Sequence, residues 1–346
     1  MPRGGFEAGR LFGPDLARGI ALLGMLAAHV DVDDAEDVYD GRSAILFATV
    51  AGVSLGLLTG GARPRPRGER AEARAAIALR ALALIVLGVI LTLAVDPPLA
   101  VILDSYGFAF LLMLPVLFAP RTVLVLVAAV VVLVMPPLVG WLRERTDPAA
   151  IPDLLRAFTD WTVYGAYPMA IWIAFLIAGL LCARSDLARR RTQVLLTAGG
   201  AAAALLGYGV AALLPGVTAE AHSGSAAEVI GSGGVAVAVV GAATLVGDLS
   251  GAAGRGIRTL LFPVAAAGAM ALTLYTAHAL VLSVVRGLGS EGSPRWDYPE
   301  PTLGLLIAGV LLVATAWRHL LGAGPLERLL RLLTGIVRSR PAPPRV

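Results

Sequence analysis

His29 ends the run "DLARGIALLGMLAAH" over residues 15–29, and His278 ends "ALTLYTAH" over residues 271–278. Imidazole is the side chain best suited to moving protons near neutral pH, and a histidine inside an apolar helix is costly unless it is paired or functional. Tyr275 precedes His278 by three residues, which puts both on one helical face. Asp104, in "VILDSYG", is a carboxylate in the first turns of another apolar run, where it needs a partner or a wet cavity. These residue types suit proton transfer. A neutral imidazole accepts a proton from a hydroxyl or amine, a carboxylate on its second nitrogen fixes the tautomer, and a phenol donates to a developing anion. His29, Asp104, Tyr275 and His278 are therefore the candidate catalytic residues. Arg42, Tyr106, Tyr167 and His222, the last in "AEAHSGS", are the candidate substrate contacts. His319, near the end of the last apolar run, reads as a snorkelling interfacial residue.

The elements that must position these groups are membrane helices. The chain of 346 residues is 57% hydrophobic and only 15% charged, against about 25% charged in an ordinary soluble domain. Its mean hydropathy is +0.79. Apolar runs and their breakers predict an all-α, polytopic bundle of about ten transmembrane helices. Their spans are about 14–31, 43–60, 76–95, 100–119, 121–140, 164–183, 193–214, 231–249, 260–286 and 302–320. All 28 basic residues are Arg, and under this count 22 fall on one side of the bilayer and 6 on the other. The positive-inside rule then predicts that both termini are cytoplasmic, and the lack of a small-residue cleavage site, with Asp15 and Arg18 flanking the start of the first apolar run, predicts that this run is a retained helix. A single domain over residues 1–335 is followed by a polar tail, 336–346, that reads as disordered. Gly52, Gly56 and Gly60 recur at four-residue spacing and predict close helix packing in lipid. The net charge of +4 calls for no nucleic-acid partner. The single Cys182 excludes an internal disulfide, and the absence of a Cys/His cluster predicts no structural metal.

In this orientation Arg18 sits at the inner end of the first helix and His29 at its outer end, eleven residues or about 16 Å away. The loop beyond His29 carries Asp31, Asp33, Asp34, Glu36, Asp37 and Asp40, either a solvated loop or an acidic rim that attracts a cationic or hydroxyl-rich partner. Asp104, Tyr106, Tyr167, His222 and His278 fall on the same outer side. One outer-half cavity continuing toward Arg18 is the arrangement this predicts. Tyr164 reads as part of an interfacial aromatic belt.

The segment over residues 15–29 resembles the D-x-x-R-G first-helix signature of membrane acyltransferases that include the heparan-alpha-glucosaminide N-acetyltransferases and the YeiB-like bacterial membrane proteins. "ALTLYTAH" and "GPLERLLR" (324–331) resemble late-helix and C-terminal motifs of the YeiB-like branch. The likeness runs from about Gly13 to Arg331. It implies transfer of an acyl group from cytoplasmic acyl-coenzyme A, acetyl-coenzyme A above all, to a hydroxyl or amine of a sugar or lipid-linked glycan outside. It also implies a bacterial plasma membrane, with the lipid bilayer and a second copy of the chain as partners. Asp15 and Arg18 match the first-helix motif and are either candidate cofactor contacts, with Arg18 near the coenzyme A phosphates at the inner mouth, or an Asp–Arg pair that caps and orients the helix. In the N-acetyltransferase branch the first helix ends in Asn and the catalytic His follows in the loop; here the loop has no His, and His29 occupies the helix end. His29 is then the general base, Asp104 or the acidic loop its orienting carboxylate, and Tyr275 or Tyr167 the oxyanion donor.

The rival reading is a proton-coupled transporter or flippase for a polar or lipid-linked solute, with Asp104 and His278 as the coupled pair. Against it, the D-x-x-R-G motif has no counterpart in the second half. A catalytically inert scaffold is the third reading. No G-x-S-x-G elbow, Walker loop or H-E-x-x-H motif is present.

Overall fold

A computed structural model describes residues 11–30, 39–288, 298 and 301–338. Among them every regular element is helical: α1 (Phe12–Val30), α2 (Arg42–Leu58), α3 (Arg70–Ile90), α4 (Leu103–Met113), α5 (Arg121–Arg145), α6 (Asp153–Thr159), α7 (Met169–Arg184), α8 (Arg190–Leu213), α9 (Ala226–Gly247), α10 (Gly251–Leu260), α11 (Phe262–Ala269), α12 (Ala271–Leu288), α13 (Thr302–Leu320) and α14 (Pro325–Arg338). Five helical stretches in the described residues are long and apolar enough to cross a bilayer, or seven if each of two bent pairs is one crossing. Leu126 and Leu133 on α5 and Leu205 and Leu213 on α8 are exposed. On a water-soluble protein such a ring would be an aggregation surface; on a helical membrane protein it faces hydrocarbon.

The centre is built on backbone-to-backbone packing. α2 lies along α7 and α1 along α11. A Cβ at Gly52 would stand 2.1 Å from the Leu176 carbonyl oxygen, and one at Gly179 would stand 1.8 Å from that of Thr49. No side chain fits there, so the helices approach as small residues allow in lipid. Gly56 faces α7 in the same way, at 2.4 Å from Ala183 Cβ, but Gly60 belongs to the turn after α2 and adopts φ 108°.

Arg184, at the end of α7 and 3% exposed, ties three helix ends together. Its guanidinium donates to the carbonyls of Gly56, Gly61 and Leu117 and to Thr59 Oγ1, at 2.6–3.2 Å. The last carbonyls of a helix lack intrahelical donors and carry partial negative charge, which a cation satisfies on both counts.

Two expected spans are corrected. The run over 260–286, expected as one helix, is α11 and α12 meeting at 86°, with Met270 between them at φ −122°, ψ 24°. Contact with α1 holds α11 in place: a Cβ on Gly19 would sit 2.0 Å from the Val264 carbonyl oxygen, and one on Gly268 1.9 Å from that of Asp15. The run over 164–183 starts at Met169, after Pro168, and the helical stretch before it is bent from it by 60°. At the other end, α14 extends to Arg338, into the tail expected from 336; residues 339–346 lie outside the described residues.

Candidate functional site

His29 and His278 meet. His29 Nδ1 lies 3.0 Å from His278 Nε2, and the rings stack with centroids 5.2 Å apart and planes 7° from parallel. α1 supplies one ring from its last turn and α12 the other from its second turn onward, so two helices 249 residues apart in chain position converge. His278 is 1% exposed. Tyr275, three residues earlier, sets its ring edge-on against His278 at 5.0 Å. Its hydroxyl accepts the backbone N–H of Ile102 at 3.2 Å, pinning α12 to the start of α4.

On one side of the pair is a cavity of about 210 Å³ lined by His29, Asp40, Ser43, Ala44, Tyr167 and His222, among others. Glu228 builds the rim that carries His222. Ser225 caps the head of α9, its hydroxyl accepting from Glu228 N at 2.9 Å. The Glu228 carboxylate reaches back to the N–H groups of His222 at 2.8 Å and Gly224 at 2.6 Å. This clamps a loop in which His222 adopts φ 60° and its ring stacks on Trp172. Tyr167 packs against both rings and donates to the Ala100 carbonyl at 3.4 Å. Arg42, expected to touch substrate, donates to Tyr208 Oη at 2.9 Å instead of lining this cavity. The acidic residues Asp31 to Asp37 lie outside the described residues; Asp40 is at the wall.

On the other side is a larger cavity of about 510 Å³, lined by Asp15, Arg18, Tyr106, Tyr275, Glu327 and Arg331, with Arg80 and mostly apolar side chains between them. Arg18 is fixed by Asp15 Oδ1 at 3.0 Å, the Gly268 carbonyl at 3.2 Å and Ser54 Oγ at 2.6 Å. The expected single cavity running from His29 toward Arg18 is thus two cavities back to back. The two linings are linked through His29, His278 and Tyr275 and through Tyr106, whose hydroxyl donates to the Ala44 carbonyl at 3.0 Å. Of the two proposed oxyanion donors, Tyr275 lines the larger cavity and Tyr167 the smaller.

Asp104 does not orient a histidine. Its Oδ2 accepts from Trp161 Nε1 at 2.9 Å and its Oδ1 from Ser105 N at 2.9 Å. The second imidazole occupies the place expected for a carboxylate beside His29.

Glu327 escaped the sequence reading. The break at Met270 strips the first N–H groups of α12 of helical acceptors, and Glu327 Oε1 accepts those of Leu272 at 2.9 Å and Thr273 at 3.1 Å. Thr273 Oγ1 donates to its other oxygen at 2.6 Å. A carboxylate at a helix N-terminus is favoured by both hydrogen bonding and the dipole. The Glu327→Ala variant is expected to lose about 1–2 kcal/mol, the scale of a lost N-cap. It would read as a lower Tm in detergent together with faster proteolysis within α14; an unchanged melt would show that the cap is not holding the broken helix.

No curated protein matches the chain. Residues 179–336, which include His222, Tyr275, His278 and Glu327 but neither Arg18 nor His29, match the model of a membrane-protein family described as protein of unknown function (DUF418).

Proposed function

We propose that the chain is a multi-pass acyltransferase of the bacterial plasma membrane, crossing it about ten times with both termini in the cytoplasm. Acyl-coenzyme A, acetyl-coenzyme A first, enters the larger cavity, and a sugar or lipid-linked glycan presents its hydroxyl or amine in the smaller one. Ten crossings follow if α1, α2 and α4 join the five long apolar helices together with two bent pairs, α7 with the helical stretch before it and α11 with α12, each counted as one. The observation that carries the reading is the hydrogen-bonded histidine pair standing between two cavities, the larger rimmed by Arg18, Arg80 and Arg331. The reading requires the thioester carbonyl to pass the histidine pair and meet the nucleophile beside His29, whose imidazole is suited to removing the nucleophile's proton. Arg18, Arg80 and Arg331 supply charge-assisted donors for phosphate oxygens, and the apolar wall suits a pantetheine arm. Tyr275 is placed to donate to the oxyanion.

The test is binding of acetyl-coenzyme A to the purified protein in lipid nanodiscs. Arg18→Ala and the more peripheral Arg331→Ala are each expected to weaken it about tenfold, the size of one lost charged hydrogen bond. Because Arg18 also braces α1 against α11, the Arg331 variant separates ligand contact from folding. No binding by the wild type to any short acyl-coenzyme A would end the proposal. The transporter reading would then gain, since the broken helix capped by Glu327 is the kind of discontinuous element that transporters use at solute sites.

A further inference from the structure

The arginines at one end of the bundle are gathered, not spread. α2, α4 and α7 end together where Arg184 joins them, at the level where apolar helices give way to loops. Two arginines of α3 close on the same end of α4. Arg74 Nε donates to the Leu114 carbonyl at 3.0 Å, three residues before the Leu117 carbonyl that Arg184 holds. Arg70 Nε donates to the Arg65 carbonyl at 3.1 Å. Both guanidinium carbons lie over one ring, that of Phe118, at 5.0 and 5.1 Å from its centroid. Positive-inside topology asks only that arginines lie on one side of a bilayer, not that they crowd. Like charges four residues apart on a helix repel, and no carboxylate relieves them here. Glu69 is taken by Arg65 at 3.5 Å, and Arg70, Arg74 and Arg121 make no ion pair among the described residues.

We propose that this end of the bundle binds one anionic phospholipid of the adjoining leaflet, its phosphate shared by Arg70 and Arg74 over Phe118, with Arg121 at the rim. Each of the two guanidinium groups is anchored through Nε and by the ring beneath it. Its two terminal nitrogens are then a held fork, the geometry that meets phosphate oxygens in pairs. Three residues past Phe118, Arg121 opens α5, whose N-cap Pro120 makes no side-chain cap bond. The first-turn N–H groups and the helix dipole add to the preference for an anion that the arginines set. A lipid suits the place better than a free phosphate because hydrocarbon-facing surface starts within a few residues of the cations: Leu112 on α4 and Leu126 on α5 are exposed. A phosphodiester between Arg70 and Arg74 turns their repulsion into a shared attraction and ties α3 to the end of α4. None of Arg70, Arg74, Phe118 and Arg121 lines either cavity, so the site stands whether or not the cavities carry acyl transfer.

The test is native mass spectrometry of the full chain in detergent, titrated with equal amounts of dioleoyl-phosphatidylglycerol and dioleoyl-phosphatidylcholine. The wild type is expected to retain one phosphatidylglycerol in preference to phosphatidylcholine. Arg70→Gln and Arg74→Gln should each weaken phosphatidylglycerol binding about tenfold, the size of one lost charged hydrogen bond, and leave phosphatidylcholine binding as it was. Arg74 also holds the end of α4, so Arg121→Gln, which gives up no hydrogen bond or ion pair among the described residues, decides the matter should Arg74→Gln fail to fold; it too should weaken phosphatidylglycerol binding. Arg145→Gln removes the same charge from the far end of α5 and is expected to change nothing. Equal retention of the two lipids by the wild type, undiminished phosphatidylglycerol binding in Arg70→Gln and Arg121→Gln, or an equal loss in Arg145→Gln would overturn the site. Glycerol 3-phosphate is the last arm: if it displaced phosphatidylglycerol at equal concentration, the ligand would be a soluble phosphate and the lipid assignment would fall.

Discussion

Replacing His29 by alanine is expected to lower acetyl transfer by about 10²–10⁴-fold, the range that a positioned general base contributes. Binding of acetyl-coenzyme A should be unchanged, because His29 lines the smaller cavity and Arg18 and Arg331 the larger. The effect therefore belongs in kcat, with KM for the thioester preserved, the pattern of an interaction made only in the transition state. His319→Ala serves as the control: that ring packs on Phe262 at 4.7 Å and lines neither cavity. Equal rates for wild type and His29→Ala would remove the histidine pair from the chemistry, whatever its geometry.

The second large effect concerns a residue with no side chain. A Cβ at Gly268 would lie 1.9 Å from the Asp15 carbonyl oxygen and 2.5 Å from Gly19 N, so Gly268→Ala must push α11 off α1. Backbone atoms on both sides leave nothing flexible to yield, and we expect a loss of about 3 kcal/mol, at the upper end for overpacking. Activity should fall further than stability does, because the Gly268 carbonyl holds Arg18 and the displaced α11 leads directly into the helix that carries Tyr275 and His278. Gly140→Ala, on α5, provides the contrast, since its Cβ would meet nothing within 4 Å. A Gly268→Ala protein that melts with the wild type would show that α1 and α11 are not locked together.

That His29 and His278 lie at a similar depth was legible because helix rise converts residue number into depth; that they touch was not, and neither was what each imidazole would meet. Depth says nothing about rotation around the helix axis, so a carboxylate at the right level, Asp104, looked as suitable as a second histidine. Asp104 is held by Trp161, which sits in the polar stretch between apolar runs where hydropathy gives no register. The break at Met270 was hidden for a related reason. Residues 260–286 are apolar throughout, and hydropathy reports whether a segment suits lipid, not whether it is straight. Gly268 was the one hint. Glu327 lies beyond the last apolar run, on a helix rich in both Leu and Arg, so no transmembrane periodicity pointed to it, although "GPLERLLR" stood out as a motif. Arg184 was counted as a topology signal, and its buried contacts with the ends of α2 and α4 depend on tertiary packing that charge counting does not see.

In the proposed reading, with the two cavities opening toward opposite faces, the electrical profile of the bilayer is reshaped as well. A water-filled cavity is a conductor compared with hydrocarbon, so in that reading the membrane voltage would fall mainly across the layer of His29, His278, Tyr275 and Tyr106. An elementary charge moved through the full drop changes in energy by about 2.3 kcal/mol per 100 mV. An acyl group carried outward while its thiolate stays behind is, formally, such a charge. The proposed transfer would therefore couple to the resting potential, unless a counter-charge crosses the same layer in the opposite sense.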